Sequence, residues 1–289
     1  MSIKSALVQT VGRLIPDKLY LQIKYFKSMK RFVNYKIPKT YNEKLQWLKL
    51  YDRNPEYVKM VDKYEVKKYV ADKIGEQYVI PTLGVWDDFD KIDFDSLPNK
   101  FVLKTTHDCG GIKICDKSNF DKSSVKAFIN KHLENKYYFH HREWPYKNVK
   151  PRVIAEEYME DKKTAELRDY KFFCFNGEVK ALFIATERQK SGEEVKFDFF
   201  DENFNHLSIR QGHPNAKVPP EKPKKFEEMK TLAAKLSSGI PHVRVDFYEV
   251  NEQIYFGELT FYHFAGTVPF EPDEWDYNFG DWLTLPLQK

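Results

Sequence analysis

The chain has 289 residues, a formal net charge of +4 and an aromatic content of 16%. So many aromatic residues predict a well-packed globular protein and exclude an intrinsically disordered one. No apolar run approaches the roughly 18 residues that a membrane-spanning helix needs, and no signal-peptide pattern opens the chain. Its three cysteines form no Cys-x-x-Cys pair, so we expect a cytoplasmic protein with free thiols.

The first 40 residues are strongly basic. One acid, Asp17, stands there against nine basic residues: Lys4, Arg13, Lys18, Lys24, Lys27, Lys30, Arg31, Lys36 and Lys39. Apolar residues recur at helical spacing on both sides of Pro16, which predicts helices over residues 5–15 and 18–30. Such a helix either packs on the protein with its lysines in water, which the pattern favours, or contacts an anionic membrane or an acidic polymer.

Helical periodicity dominates residues 1–78, and strands joined by turns and helices follow. The further predicted helices span residues 41–52, 55–60, 62–74, 123–135 and 226–238. The predicted strands span residues 79–86, 101–104, 112–115, 153–158, 167–176, 178–186, 195–200, 243–248 and 254–260. This order predicts an α+β fold with a helical N-terminal region, a first lobe over residues 79–158 and a second over residues 159–289.

A glycine-containing hairpin at residues 101–115 is the most informative motif. Two short apolar strands, each carrying a lysine, flank a polar loop that ends in Gly110 and Gly111. The glycines permit positive φ angles and a close approach of the backbone to a ligand. Backbone N–H groups beside Lys104 and Lys113 suit a polyphosphate, although an ordinary turn is the alternative interpretation.

Two acids near the C-terminus lie inside otherwise apolar strands. They are Asp246 and Glu258, on the two strands of a second hairpin. Burying an unpaired carboxylate costs free energy. A shared Mg²⁺ would offset this cost, because Mg²⁺ binds one or two carboxylates and leaves its other coordination positions to phosphate oxygens. Strand alternation puts Arg244 on the same face as Asp246. The alternative is a solvent-facing acid on each of two edge strands.

Taken in chain order, the motifs resemble the TupA-like ATP-grasp family, which belongs to bacterial cell-surface polysaccharide gene clusters. The matching segments are residues 41–52, 61–64, 101–111, 142–147, 151–158, 169–177 and 257–261. The resemblance covers residues 40–270 and implies the ATP-grasp fold, in which two α+β lobes hold ATP. The helical N-terminal region departs from the many relatives that carry a Rossmann-like lobe there.

The resemblance implies an ATP site between the lobes. The hairpin lysines would contact the α-phosphate and the phosphates beside the loop, the strand end after the hairpin would face the adenine edge through its backbone, and one acid would hold the ribose hydroxyls. In that order these residues are Lys104 and Lys113 with Gly110 and Gly111, then Glu156, Glu157, Tyr158 and Met159, then either Glu160 or Asp161.

The resemblance also implies the metal and catalytic groups. Asp246 and Glu258 would bind Mg²⁺, and Thr260 stands where many relatives have an asparagine for a second Mg²⁺, so the number of metal ions is open. Lys171 would reach phosphate from the second lobe. Arg244 would stabilise an acyl phosphate or a tetrahedral intermediate.

Further charged residues near the presumed cleft are weaker candidates. Arg168 would grip a substrate carboxylate, because a guanidinium binds one bidentately. His107 either contacts phosphate and relays a proton or is an exposed loop histidine. Four more residues either bind an acidic acceptor or, as the sequence favours, contribute only surface charge: His140, His141, Arg142 and Lys147.

The resemblance implies an ADP-forming carbon–nitrogen ligase of polysaccharide biosynthesis. ATP would phosphorylate a carboxylate, of a uronic acid or an amino acid, and an amine would displace phosphate to form an amide. No nucleic acid partner is expected, and no oligomeric state is indicated. One alternative is a glycosyltransferase with a metal site at Asp87, Asp88 and Asp93, which leaves the lysine hairpin unexplained. The other is a basic polyanion-binding module built on residues 1–40.

Overall fold

The computed structural model describes residues 14–162, 167–187 and 194–287. Most of the helix predicted over residues 5–15 therefore lies outside the described residues. Within them the chain forms eight α-helices and two antiparallel sheets, which confirms the α+β prediction. The helices are α1 (Asp17–Met29), α2 (Tyr41–Tyr51), α3 (Glu56–Val61), α4 (Glu65–Ile74), α5 (Lys122–Leu133), α6 (Tyr138–His141), α7 (Phe226–Ser237) and α8 (Glu274–Trp282).

The N-terminal helices pack on the rest of the chain. Helix α2 begins with a capping box, in which the Thr40 hydroxyl accepts from the Glu43 backbone N–H (3.3 Å) and the Glu43 carboxylate accepts from that of Thr40 (3.2 Å). Helix α1 buries Leu21 and Tyr25 on its inner face. None of the described helices is long and apolar enough to cross a membrane.

The first sheet has four strands in the order β1-β4-β2-β3. They are β1 (Thr82–Trp86), β2 (Lys100–Thr105), β3 (Ile112–Asp116) and β4 (Val153–Glu157). Helix α5 covers one face, where Leu103 and Ala155 pack in one cluster with Ile129. The other face, which carries Lys104 and Glu156, is turned away from α5 by strand alternation. The predicted hairpin of β2 and β3 is confirmed.

The second sheet has six strands in the order β10-β9-β5-β6-β7-β8. They are β5 (Asp169–Phe175), β6 (Glu178–Thr186), β7 (Lys196–Asp201), β8 (His206–Leu207), β9 (Val243–Val250) and β10 (Gln253–Thr260). Helix α7 packs on one face through Phe226 and Phe172, whose ring centroids lie 6.1 Å apart. Strand β9 pairs with both β10 and β5, so the alternative that Asp246 lies on an edge strand is wrong.

Helices α2 and α4 join the two sheets. The Tyr41 hydroxyl of α2 lies 2.8 Å from Nε2 of His242, which precedes β9. Just before α4, Asp62 accepts a hydrogen bond of 2.8 Å from Arg152, which precedes β4. The helical region is therefore a shared wall of both lobes.

Candidate active site

A cleft of about 620 Å³ lies between the glycine loop of the first sheet and the β9–β10 hairpin of the second. Gly110 lines one side, Lys171, Arg244 and Glu258 line the other, and Glu143 lines the deep end. A larger and more open depression of about 850 Å³ lies beside α7 and is lined mainly by surface lysines and glutamates. We place the site in the cleft, because Glu258, which pairs with the buried Asp246, and the glycine loop both line it.

Asp246 is the centre of the charge arrangement. It has no exposed surface, and Arg244 binds it through two hydrogen bonds of 2.7 Å each, from Nε and from Nη2. Lys171 binds the same carboxylate and also pairs with Asp169 at 2.6 Å. Burial alone would raise the pKa of Asp246, but Arg244 and Lys171 hold it below its usual value. Asp246 is therefore a fixed negative charge.

A β-bulge brings the second acid into position. Phe256 pairs with Phe247, but Glu258 pairs with Asp246, so Gly257 is an extra residue in β10. A Cβ at Gly257 would lie 3.1 Å from the Asp246 carbonyl oxygen, so a larger residue would crowd the bulge. The Glu258 side chain keeps 46% of its surface exposed and accepts from Arg244 at 3.1 Å. Glu258 thus faces the cleft above a buried charge cluster.

The donor set fits Mg²⁺ in its chemistry. Asp246 and Glu258 are oxygen ligands on adjacent strands, and no group of three or more His, Cys, Asp or Glu residues suited to a metal occurs in the described ranges. The remaining ligands must then be phosphate or water oxygens, as Mg²⁺ favours. Access to Asp246 would require a shift of Lys171 or Arg244. Thr260 donates to Glu258 at 3.0 Å, and its role as a ligand stays a prediction.

His263 holds Arg244 in place. Its Nδ1 lies 2.7 Å from Nη1 of Arg244, and its Nε2 lies 2.9 Å from the side-chain oxygen of Gln211. Burial, reinforced by the Arg244 charge, lowers the pKa of His263 well below its usual value, so the neutral ring accepts from Arg244. No sequence motif assigned a role to His263.

The two hairpin lysines do not converge. Lys104 lies on the face turned away from α5, whereas the register pairs Lys113 with Leu103 on the α5 face, where its Nζ lies 5.8 Å from the Phe128 ring centroid. The expectation that both ammonium groups approach one ligand is therefore wrong. The sequence missed two apolar residues on the face of Lys104: Ile112 and Ile114, which are 47% and 54% exposed.

The Glu156 carboxylate forms ion pairs with two lysines. Its carboxylate lies 2.5 Å from Nζ of Lys104 and 2.6 Å from Nζ of Lys67 in α4. Its backbone lies between β1 and β2, and the Glu157 N–H donates to the carbonyl oxygen of Pro81 at 3.2 Å. The hinge contacts predicted for these two residues therefore lack support here. Those of Tyr158 and Met159, which directly follow β4, stay predictions.

The ribose and carboxylate candidates also separate. Asp161 accepts from the Asn251 backbone N–H at 2.8 Å and so supports the β9–β10 turn, while Glu160 is exposed. This geometry favours Glu160 for the ribose. Arg168 interacts with the Tyr170 hydroxyl, and Tyr170 lies on the face of β5 opposite to Lys171. Arg168 is therefore not placed with the cleft residues.

The glycine loop is held from beneath by Asp108. The buried Asp108 carboxylate lies 2.5 Å from Nδ1 of His132 and also accepts from Thr105. Gly110 has φ +88°, and a Cβ at Gly111 would lie 1.8 Å from the Thr105 hydroxyl, so both positions require glycine. The loop is thus held in one conformation by the hydrogen bonds of Asp108.

His107 lies inside this turn. It is 4% exposed, its Nε2 lies 3.1 Å from the Asn135 carbonyl oxygen, and burial lowers its pKa. The interpretation of His107 as an exposed loop histidine is wrong. A role at phosphate would require the contact with Asn135 to break, and it stays a prediction.

The segment before the first-lobe hinge is partly buried, and Arg142 in it is not a surface charge. Arg142 is 2% exposed, pairs with Asp17 of α1 at 2.9 Å, and lies over the Tyr20 ring at 4.2 Å. His141 lines the deep end of the cleft, and burial lowers its pKa to about 3. Of the four residues interpreted as surface charge, Lys147 is exposed.

Two facing α+β lobes, with a lysine and glycine hairpin on one and an acid pair on the other, define an ATP-grasp protein. The chain belongs to the TupA-like ATP-grasp family, whose model matches residues 43–284. The resemblance read from the sequence is therefore confirmed. No match was found among curated protein sequences.

Solved structures of ATP-grasp ligases are similar to this chain at low identity. The D-alanine–D-alanine ligase of Helicobacter pylori is 13% identical, with 86% of this chain and 68% of that chain covered and a TM-score of 0.46. The corresponding ligase of Bacillus anthracis is 16% identical, with 70% and 56% covered and a TM-score of 0.40. The ligase PsnB, complexed with a minimal precursor, Mg and ADP, is 12% identical, with 77% and 58% covered and a TM-score of 0.41. The chain thus spans little more than half of the last two.

The Glu156 ion pairs generate a stability prediction. Glu156→Gln leaves Lys67 and Lys104, both largely buried, without their counter-ion, and should lower the free energy of unfolding by about 3 kcal/mol. Burial alone would raise the pKa of Glu156, but the two lysines hold it below its usual value. The effect should therefore be complete above about pH 5, where the unfolded-state carboxylate is also ionised, and should shrink as the pH falls further.

The measurement is urea unfolding of the wild type and the variant at pH 7 and at lower pH. Glu157→Gln, at the exposed end of the same strand, is the matched control and should change the free energy by no more than about 0.5 kcal/mol. Equal stability of all three proteins at pH 7 would contradict the prediction.

Proposed function

We propose that this protein is an ATP-dependent, ADP-forming carboxylate–amine ligase that modifies a uronic acid or an amino acid in cell-surface polysaccharide biosynthesis. The family supports ATP as a substrate, and the polysaccharide context rests on the resemblance alone. The observation that carries the reaction type is the group of Arg244, Lys171 and Glu258 on the cleft wall, held together by the buried carboxylate of Asp246 behind it. Such a cluster suits phosphoryl transfer, which depends on positioning and charge neutralisation.

The proposed reaction has two steps. The substrate carboxylate oxygen takes the γ-phosphoryl group of ATP, which gives ADP and an acyl phosphate. The amine nitrogen then forms a bond to the acyl carbon, and the carbon–oxygen bond to phosphate breaks with its electron pair leaving on phosphate. The chain needs no nucleophile of its own, because ATP activates the carboxylate.

Each cleft residue has a distinct task in this scheme. Lys104 neutralises phosphate charge from the first lobe and Lys171 from the second. Arg244, held by Asp246 and His263, has an Nη1 and an Nη2 near the cleft and stabilises the oxygen charge that develops on the acyl group. Mg²⁺, held by Asp246 and Glu258, would supply neutralisation of the β- and γ-phosphates.

The transferase alternative gains no support. Asp87 pairs with Lys150 at 2.8 Å, and Asp88 accepts from the Asp90 backbone N–H at 2.9 Å at the start of a short 3₁₀ turn. These acids and Asp93 do not line the cleft. A nucleotide-sugar site there would lie apart from the glycine loop and from Glu258, which line the cleft.

The products distinguish the two reactions. With ATP, Mg²⁺ and a panel of uronic acids and amino acids, the protein should release ADP and phosphate, and hydroxylamine should convert the activated carboxylate to a hydroxamate. Glu258→Gln should lower this turnover by about two orders of magnitude, or about 3 kcal/mol of transition-state stabilisation. Glu258 has a half-exposed side chain, so its substitution disturbs the fold less than that of Asp246, whose loss leaves two buried cations without a counter-ion.

The outcome of this test is decisive for the reaction class. Release of AMP and pyrophosphate, or release of UDP from a sugar donor without ATP, would overturn the proposed ligase. Unchanged turnover of a folded Glu258→Gln variant would overturn the metal assignment alone.

The two hairpin lysines give a matched pair for nucleotide binding. Lys104→Met should weaken ATP affinity by about tenfold or more, because it deletes a charge on the cleft-facing side of the sheet. Lys113→Met, on the α5 face, should change the affinity less than about twofold, because its side chain points away from the cleft. Calorimetric titration with ATP and Mg²⁺ measures both, and equal effects of the two variants would contradict this assignment.

We also propose a cytoplasmic location at the inner face of an anionic membrane. The outer face of α1 exposes Leu19, Ile23 and Phe26 by 53%, 43% and 43%, and the Phe26 ring stacks on exposed Phe32 at 4.7 Å. Exposed lysines flank this face and acids are rare: Lys18, Lys27, Lys30, Lys36 and Lys39 stand against Asp17. An apolar stripe bordered by lysines is the pattern of an interfacial helix.

Vesicle co-sedimentation tests this location. Phe26→Asp should reduce binding to phosphatidylglycerol-containing vesicles by about tenfold or more, because it places a charge in the apolar stripe. Val218→Asp, which alters an 80% exposed apolar residue on a distant loop, is the control and should bind like the wild type. Binding that is equal on pure phosphatidylcholine, or absent in the wild type, would exclude the proposed membrane contact.

A further inference from the structure

Glu143 is a buried carboxylate at the deep end of the cleft. It is 2% exposed and lines the cavity together with Tyr137, His141 and Tyr146. Its one hydrogen bond from the backbone comes from the Tyr262 N–H at 3.1 Å. Within the described ranges no lysine, arginine or histidine nitrogen lies within 4.0 Å of its oxygens. A buried carboxylate without a paired cation is expensive, and here it borders a cavity.

The nearest basic groups already have other partners. Lys49 donates to the Ala265 carbonyl oxygen at 2.6 Å and to the Gln46 side chain at 3.2 Å. Lys24 binds the carbonyl oxygen of His140, and its Nζ lies 3.0 Å from Nδ1 of His141. Burial lowers the pKa of Lys49 to about 7 and that of Lys24 to about 8, so neither is a full counter-charge above neutral pH.

Aromatic rings surround the carboxylate. The rings of Tyr137 and Tyr146 pack edge to face at 4.8 Å, and both residues and Tyr262 line the same cavity. A carboxylate inside an aromatic wall is the arrangement that recognises an ammonium group, because the ring faces and the carboxylate are both attractive to a cation. Glu258 lines the same cavity, so this aromatic part of the cleft, which we call the chamber (Tyr137, Glu143, Tyr146 and Tyr262), adjoins Glu258.

We propose that this chamber binds the amine substrate of the ligase, with the Glu143 carboxylate receiving its ammonium group. The inference rests on the proposed function and identifies where the amine that accepts the acyl group binds. Before attack, one proton passes from the ammonium nitrogen to the Glu143 carboxylate, which leaves a lone pair for the acyl carbon. A second proton leaves the nitrogen after the carbon–nitrogen bond forms and passes to the departing phosphate or to water.

Two features prepare Glu143 for this proton. Burial raises its pKa above the usual value, although Lys49 and the Tyr262 N–H oppose the rise. The raised pKa of the carboxylate lies closer to the pKa of the amine, and this favours proton transfer between them. Tyr137, whose own pKa burial raises, stays a neutral hydrogen-bonding neighbour of the carboxylate.

The test compares two nucleophiles on Glu143→Gln. An amino acid or ammonium chloride arrives as an ammonium ion, whereas hydroxylamine is largely uncharged near neutral pH and needs neither a counter-ion nor a base. Amide formation should fall by about a hundredfold and the KM for the amine should rise by about tenfold, while hydroxamate formation falls less than about threefold. Glu143→Asp should recover part of the amide rate, and raising the pH should partly rescue Glu143→Gln, because free amine becomes available.

A binding measurement needs no turnover. At equal ionic strength, methylammonium chloride should raise the Tm of the wild type above its value in sodium chloride, and this difference should vanish in Glu143→Gln. Glu134→Gln, which alters an exposed acid after α5, should keep the difference. If the wild type forms no hydroxamate but shows the methylammonium effect, the proposed ligase function fails and the ammonium site stands.

Three results would overturn the inference itself. Equal loss of amide and hydroxamate formation in Glu143→Gln would be the signature of a structural role. Unchanged amide formation with an unchanged amine KM would place the amine elsewhere. Equal Tm values in methylammonium and sodium chloride for the wild type would remove the cation site.

Discussion

The buried charge of Asp246 is the constraint on which the cleft depends. The residue lies on an interior strand and has no exposed surface, so water cannot neutralise it. A cation must therefore lie beside it, and Arg244 and Lys171 fill that role at the cleft wall in this structure. The carboxylate holds two cations in position at the place where phosphate charge would arrive. Glu258, which shares Arg244 but stays half-exposed, is left to face the ligand.

The helical N-terminal region forms part of the site. Helix α1 anchors Arg142 through Asp17, and α2 and α4 contact the second and first sheets respectively. The residue after Arg142 is Glu143, so the same packing that buries the guanidinium also sets the deep wall of the cleft. Where many relatives carry a Rossmann-like lobe, this chain uses packed helices for that wall.

The sequence predicted every described strand except β8, together with both hairpins and the two acids on adjacent strands, because these depend on two-residue alternation and on glycine positions along the chain. It missed the helices α6 and α8. It failed where the answer depends on which face another element covers. The register of β2 and β3 pairs Lys113 with Leu103 and so puts it on the face opposite to Lys104, and the packing of α5 decides which of these two faces is covered. Arg142 and His107 read as exposed charges because polar residues usually are, and distant segments bury them here. Asp17 lies 125 positions before Arg142, a separation that local periodicity does not register.

The extra residue at Gly257 makes the length of one short segment as important as its composition. Side chains change faces at every step along a strand, so losing or gaining one residue between the β9–β10 turn and Glu258 would turn that acid away from Asp246. Loops elsewhere on the surface can vary in length at little energetic expense. This hairpin cannot, and natural insertions or deletions should be absent from it while substitutions at its outward-facing positions accumulate.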